Sequence, residues 1–75
     1  MTDAELLEAL AELEHVQWMA WSTNLAETGE LSPSRLERWQ AFWVAYSQLP
    51  EEIKEEDRKW ARMVLEIISR AVRHD

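Results

Sequence analysis

The chain has 75 residues, a formal net charge of −7, five tryptophans and no cysteine. Its length predicts a single helical domain over residues 1–75, and the missing cysteines exclude disulfides, thiolate metal ligands and a cysteine nucleophile. We expect no signal peptide, because the N-terminal residues are acidic, and no membrane span, because no apolar run approaches about 20 residues. These features favour a cytoplasmic protein.

The negative charge lies in the first part of the sequence. Residues 1–31 carry seven acidic side chains and no lysine or arginine, whereas residues 32–75 carry eight acidic and eight basic side chains. Such a run most often forms a solvated helix face. It also fits an acidic surface that docks a basic protein, for which the candidate residues are Glu8, Glu12 and Glu27. The net charge disfavours long nucleic acid as a ligand.

The first predicted helix spans residues 3–28. Thr2 and Glu5 have the spacing of a capping box at its start, and Gly29 can adopt the positive φ that ends a helix. The leucine-rich start of this helix extends past the shorter second helix. We therefore expect a homo-oligomer or a partner that covers it.

The second predicted helix spans residues 33–48. Ser32 followed by Pro33 is typical of a helix start, with serine as the N-cap and proline in the first turn. The apolar side chains that share one face of this helix are Leu36, Trp39, Trp43 and Tyr46.

The third predicted helix spans residues 51–73, since Pro50 ends one helix and permits the start of the next. Its first turns are acidic and its last half is basic, an order that complements the helix dipole. No part of the sequence has the pattern of a strand. The predicted fold is all-α, a small antiparallel three-helix bundle.

Five tryptophans are several times the number, about one, that average composition gives a chain of this length. A buried indole needs an acceptor for its N–H group. Trp18, Trp39, Trp43 and Trp60 fall on the facing stripes, so we expect most of them in the core. Of Trp39 and Trp43, we expect whichever lies nearer Arg35 and Arg38 to be exposed. Trp21 is displaced from the line of His15 and Trp18 on the first helix, so we expect it to be exposed.

A ligand site is predicted where indoles alternate with basic side chains. Arginine pairs with phosphate and indoles stack on bases, so this combination fits a small molecule derived from a nucleotide. The candidate residues are His15, Trp18, Trp21, Arg38, Trp39, Trp43, Tyr46, Arg58 and Trp60. The alternative is a tryptophan core with solvated arginines at its rim and a half-buried His15 that packs against Trp18.

Nothing in the sequence predicts catalysis or a metal site. There is no recognisable Ser–His–acid set, glycine-rich phosphate loop or pair of histidines four residues apart. We expect a non-enzymatic protein without a cofactor.

Asp57 is a candidate for a structural polar role. It lies four residues after Ile53 and three before Trp60, close to the apolar face of the third helix. A carboxylate in that place needs a partner. We expect it to accept a hydrogen bond from His15 or from the indole of Trp18.

Two stretches of the chain resemble a known family. The first is His15-x-x-Trp18, followed by Trp21, and the second runs from Ala45 to Arg58 as A-Y-S-Q-L-P-E-E-I-K-E-E-D-R. Together they resemble the ryanodine-receptor-type repeat, the RyR domain, in its compact phage and bacterial form. The resemblance extends over residues 14–67, about two-thirds of the chain. Alanine stands at position 45 where the family usually has proline, and the linker of full repeats is shortened here.

The resemblance implies an α-helical, non-enzymatic module. It further implies a small phage protein in the cytoplasm of a bacterial host, which antagonises host defence by binding a nucleotide-like ligand or a host defence protein.

Overall fold

The computed structural model describes residues 1–73, so residues 74 and 75 of the predicted domain lie outside the described residues. The helices are α1 (Asp3–Glu27), α2 (Pro33–Gln40) and α3 (Glu51–Val72), with a 3-10 turn at Tyr46–Gln48. Residues 1–73 contain no strand. The predicted all-α three-helix fold is confirmed.

Local sequence signals set both ends of α1. At its start Glu5 N donates to Thr2 Oγ1 (3.1 Å) and Thr2 N donates to Glu5 Oε1 (2.8 Å), which completes the predicted capping box. After its end Gly29 has φ +77°, in the left-handed region that favours glycine. The prediction for this helix is confirmed to within one residue.

The second helix is shorter than predicted. Its start has the expected cap, with Ser32 Oγ accepting from Arg35 N (3.3 Å), but the helix ends at Gln40 and not at residue 48. The next amides bond three residues back, from Phe42 N to the Trp39 carbonyl (2.9 Å). The prediction that the helix continues to residue 48 was therefore wrong.

Hydrogen bonds to α1 explain the early end of α2. His15 Nε2 donates to the carbonyl of Val44 (2.7 Å), and Trp43 Nε1 donates to the buried Ser22 Oγ (2.9 Å). Ala45 is extended, with φ −59° and ψ 144°. These bonds to a neighbouring helix take the place of the helical ladder over this segment.

The first and third helices pack antiparallel. Glu8 contacts Arg58. His15 lies seven residues further along α1, contacts Asp57 and faces the start of α3. Ala11 and Ala61 are fully buried between them, and such small side chains let two helices approach closely. The C-terminal half of α1 extends beyond α3, where α2 and the following segment pack against it.

The fully buried part of the core is small. Its apolar members are Ala11, Tyr46, Leu49 and Ala61, with Leu7, Leu10, Phe42, Val44 and Ile53 packed around them. Leu7 and Leu10 belong to the start of α1 that we expected to be uncovered, so that expectation was wrong for these two residues. The remaining large apolar surface lies elsewhere on the molecule.

The molecule is elongated, measuring 50 × 24 × 16 Å. Trp18 and Trp43 are partly buried and Trp21 is 55% exposed, as expected. Trp39 lies beside Arg35 but is partly buried, so the prediction that the indole nearer the arginines is exposed was wrong. Trp60 is 53% exposed, so its predicted place in the core was wrong. No helix within residues 1–73 combines the length and apolar character needed to cross a membrane.

Candidate functional site

A cleft of about 310 Å³ lies between α1, α3 and the segment after α2. It is lined by Glu14, His15, Trp18, Phe42, Ile53, Glu56, Asp57 and Trp60. Its volume is at the lower end of the range for ligand sites, about 300–1,000 Å³, and is suited to a small ligand or a single side chain.

Three carboxylates give the cleft its charge. Glu14, Glu56 and Asp57 line it, and no arginine or lysine of residues 1–73 does. Within residues 1–73, none of the three forms an ion pair with a lysine or arginine. The cleft therefore concentrates negative charge beside apolar walls, where solvent screens it less than on an open surface.

The pKa of Asp57 is raised above its usual 3.8. Burial of the carboxyl is the main cause, the neighbouring carboxylates of Glu14 and Glu56 raise it further, and His15 acts in the opposite direction. Glu14 and Glu56 thus disfavour the charge on Asp57. A cation in the cleft would offset that repulsion and favour the ionised form of Asp57.

His15 holds the floor of the cleft in place. Its side chain is almost completely buried, and because the Val44 carbonyl can only accept, the bonded Nε2 carries the proton. The other nitrogen, Nδ1, lies 3.9 Å from Asp57 Oδ2. This distance is too long for a hydrogen bond, and the contact is an ion pair only when the imidazole is protonated. The prediction that Asp57 accepts a hydrogen bond from His15 or from the Trp18 indole was therefore wrong.

Aromatic rings form the walls. Trp18 stacks on His15 with ring centroids 5.9 Å apart and meets Trp39 edge to face at 5.5 Å. Phe42 and the half-exposed Trp60 line the other sides. The faces of aromatic rings attract cations, so walls and carboxylates favour the same class of ligand.

Two of the predicted ligand residues are instead bound within the protein. Tyr46 donates from its hydroxyl to Glu8 Oε2 (2.8 Å), and Arg58 donates from Nε and Nη2 to both oxygens of Glu8. Arg58 Nη1 also donates to Glu51 Oε2 (3.0 Å). We call Glu8, Tyr46, Glu51 and Arg58 the Glu8 clamp.

The clamp shifts the pKa of its members. Hydrogen bonds from Arg58 are the main cause that lowers the pKa of Glu8 to about 2. Burial, together with the bond to Glu8, raises the pKa of Tyr46 to about 12. The clamp ties α1 to α3 and to the 3-10 turn, so Glu8 serves folding, whereas the other predicted docking acids, Glu12 and Glu27, are exposed.

The remaining predicted residues lie around α2, away from the cleft. Trp21 packs against Trp39 with ring centroids 5.8 Å apart, and the Arg35 guanidinium lies 5.8 Å from the centre of the Trp39 ring. Arg38 is exposed on the same helix. Trp43 is held by its bond to Ser22 (2.9 Å).

The comparisons with known proteins give no relative. No protein-family model, curated protein or solved structure matches the chain. The resemblance to the RyR-type repeat therefore stays a prediction. The geometry and charge of the cleft are the remaining evidence for a function. Within the described part of the chain, no group of histidine, aspartate and glutamate residues is placed to hold a metal ion.

The sequence reasoning placed His15, Trp18, Asp57 and Trp60 among the candidates, and the structure brings these four together. It missed the two glutamates of the cleft. A local signal was present, because each wall tryptophan follows a glutamate by four residues, as Glu14–Trp18 and Glu56–Trp60. That spacing puts each carboxylate beside its indole on one helix face.

Proposed function

We propose that this chain is a non-enzymatic binding protein whose cleft takes a basic side chain of a partner protein. The observation that carries the proposal is the set of three carboxylates, Glu14, Glu56 and Asp57, in an aromatic cleft that no lysine or arginine of the described residues lines. A lysine or arginine side chain supplies both a cationic end for the carboxylates and an apolar stem for the indoles.

The charge of the whole chain supports a basic partner. Residues 1–31 carry seven acidic and no basic side chains, so the field around α1 attracts positively charged surfaces and speeds encounter. The cleft then supplies the specific contact. The resemblance to the RyR-type repeat supports a role in the cytoplasm of a bacterial host, where a small phage protein would act against a host defence protein.

A nucleotide-like ligand is the second candidate, and it would use a different surface. The observation that favours it is the pair of Trp21 and Trp39 with Arg35 near the Trp39 ring. Exposed indole and guanidinium groups can stack on a base and pair with phosphate. The acidic cleft itself is unfavourable for a phosphate, because like charges would meet there.

Titration calorimetry with short lysine-rich and arginine-rich peptides tests the first candidate. We expect the wild-type chain to bind them and Glu14→Gln to weaken binding about tenfold, which corresponds to roughly 1.4 kcal/mol. Glu12→Gln, which removes a charge from an exposed site outside the cleft, is the matched control and should change affinity much less.

Equal losses in the two variants would contradict a role for the cleft, because binding would then depend only on the overall charge of α1. A wild-type chain that binds no basic peptide but gives heat with a nucleoside monophosphate would favour the second candidate.

A further inference from the structure

One face of α3 is apolar and exposed. Trp60, Met63 and Ile67 lie on one side of the helix and are 53%, 48% and 57% exposed. Glu56 precedes them by four residues and Arg70 follows them by three, and both are exposed. We call these five residues the α3 stripe. Their spacing of four, three, four and three is that of residues through which two helices pair.

The chain exposes more surface than a compact protein of its mass. Its accessible surface is 5726 Å² at a mass of 8.9 kDa, whereas the scaling of surface with mass gives about 4,800 Å². The excess of about 900 Å² is close to the roughly 800 Å² that each partner buries in a standard protein interface. It is large enough for one protein contact.

The order of charges along the α3 stripe is self-complementary. The stripe has an acid at one end, a base at the other and three apolar residues between them, so it is symmetric about Met63. A second α3 running antiparallel would place Glu56 of each copy opposite Arg70 of the other. Trp60 of each copy would then lie beside Ile67 of the other, which is the pattern of an isologous interface.

We propose that the α3 stripe is a two-fold interface between two copies of this chain, with antiparallel α3 helices that cross at Met63. Residues 51–73 carry six acidic and six basic side chains, so this helix does not repel its copy. Leu13 and Val16 on α1 are also about half exposed. Self-pairing there would bring two purely acidic segments together, which like-charge repulsion opposes.

Sedimentation equilibrium tests the interface directly. We expect the wild-type chain to have twice the mass of 8.9 kDa, and Ile67→Glu to have the single mass with unchanged helical circular dichroism. Val16→Glu places the same charge on the half-exposed face of α1 and should stay dimeric. A monomeric wild-type chain, or a Val16→Glu variant that alone becomes monomeric, would overturn the proposal.

A charge exchange tests the antiparallel arrangement. Glu56→Arg alone and Arg70→Glu alone each put like charges opposite one another at both ends of the interface, and should weaken the dimer. The double variant restores opposite charges and should recover it. Failure of the double variant to recover would reject this register.

A cysteine at the two-fold axis gives an independent measurement, because the chain has no native cysteine. Met63→Cys should form a disulfide-linked dimer on mild oxidation, while Val16→Cys should not. Absence of the Met63→Cys product would contradict the axis at that residue.

Glu56 and Trp60 also line the cleft, so all masses are measured without a basic peptide. Met63 and Ile67 do not line the cleft. The dimer tests at these two residues can therefore give a negative result while the chain still binds the basic peptide.

Discussion

Among single residues, Glu8 joins three parts of the described chain: α1, the 3-10 turn and α3. Its two oxygens accept from Tyr46 and Arg58, which lie 38 and 50 residues further along the chain. Sequence analysis identified these two as ligand residues because it could not know that a carboxylate on α1 would reach both. Pairing over such a separation depends on how the helices pack and has no local sequence signal.

Replacing this carboxylate should destabilise the fold. Glu8→Gln removes the charge that Arg58 contacts, and we expect a loss of about 1 kcal/mol, since Glu8 is 43% exposed and solvent screens the pair. Chemical denaturation measures the change. Glu12→Gln, also on α1 but exposed, should leave the free energy of unfolding nearly unchanged.

The contribution of Glu8 to the free energy of unfolding should decrease in acid. Its folded pKa of about 2 lies below the usual 4.5, so its contribution to stability is complete above the usual value and is lost as pH falls toward 2. The difference in unfolding free energy between wild type and Glu8→Gln should therefore shrink in acid. A difference that grows below pH 4 would contradict the clamp.

The effect of Asp57 on stability changes with pH in the opposite direction to that of Glu8. The pKa of Asp57 is raised, chiefly by burial, so the folded state disfavours the ionised carboxyl and loses stability as pH rises through the folded pKa. We expect Asp57→Asn to raise the melting temperature at neutral pH. The difference from wild type should be small at a pH where Asp57 is protonated in both the folded and the unfolded state. The same variant should bind basic peptides more weakly, and a gain in both properties would contradict the proposed role of Asp57.

At the scale of elements, the helix ends that local chemistry controls were predictable and the others were not. The limits of α1 follow from Thr2, Glu5 and Gly29, and the start of α3 follows from Pro50. The end of α2 was not predictable, because the periodic Trp43 and Tyr46 continue the apolar spacing past Gln40. Their side chains face partners on α1, and those contacts favour an extended segment over a longer helix.

The irregular segment after α2 is held to α1 in part by the buried imidazole of His15. His15→Ala removes the bond to the Val44 carbonyl and leaves a cavity beside Trp18, and we expect a loss of about 2–3 kcal/mol. Amide hydrogen exchange should rise most over residues 42–46. Gln17→Ala changes an exposed residue two positions later and should leave exchange there unchanged; an equal rise in both variants would show that His15 does not hold the segment.

At the scale of the whole molecule, the charge and the apolar surface are divided between helices. The acidic α1 contributes Glu14 to the cleft, whereas α3 balances its charges and exposes Met63 and Ile67. The lopsided charge was predictable from the sequence alone. The cleft was not, because Glu14 and Glu56 lie 42 positions apart and meet only when α1 and α3 pack antiparallel.

The five tryptophans allow a direct test of the proposed cation site in the cleft. Each indole N–H gives its own signal in a ¹H–¹⁵N spectrum, and the five indoles lie in distinct environments: Trp18 and Trp60 in the cleft, Trp21 and Trp39 beside Arg35, and Trp43 bonded to Ser22. A lysine-rich peptide should be titrated into the ¹⁵N-labelled chain, with the same peptide acetylated at its lysines as the control. We expect the unmodified peptide to shift the signals of Trp18 and Trp60 and to leave that of Trp43 in place, and we expect the acetylated peptide to shift none. Equal shifts with both peptides, or shifts confined to Trp21 and Trp39, would contradict a cation site in the cleft.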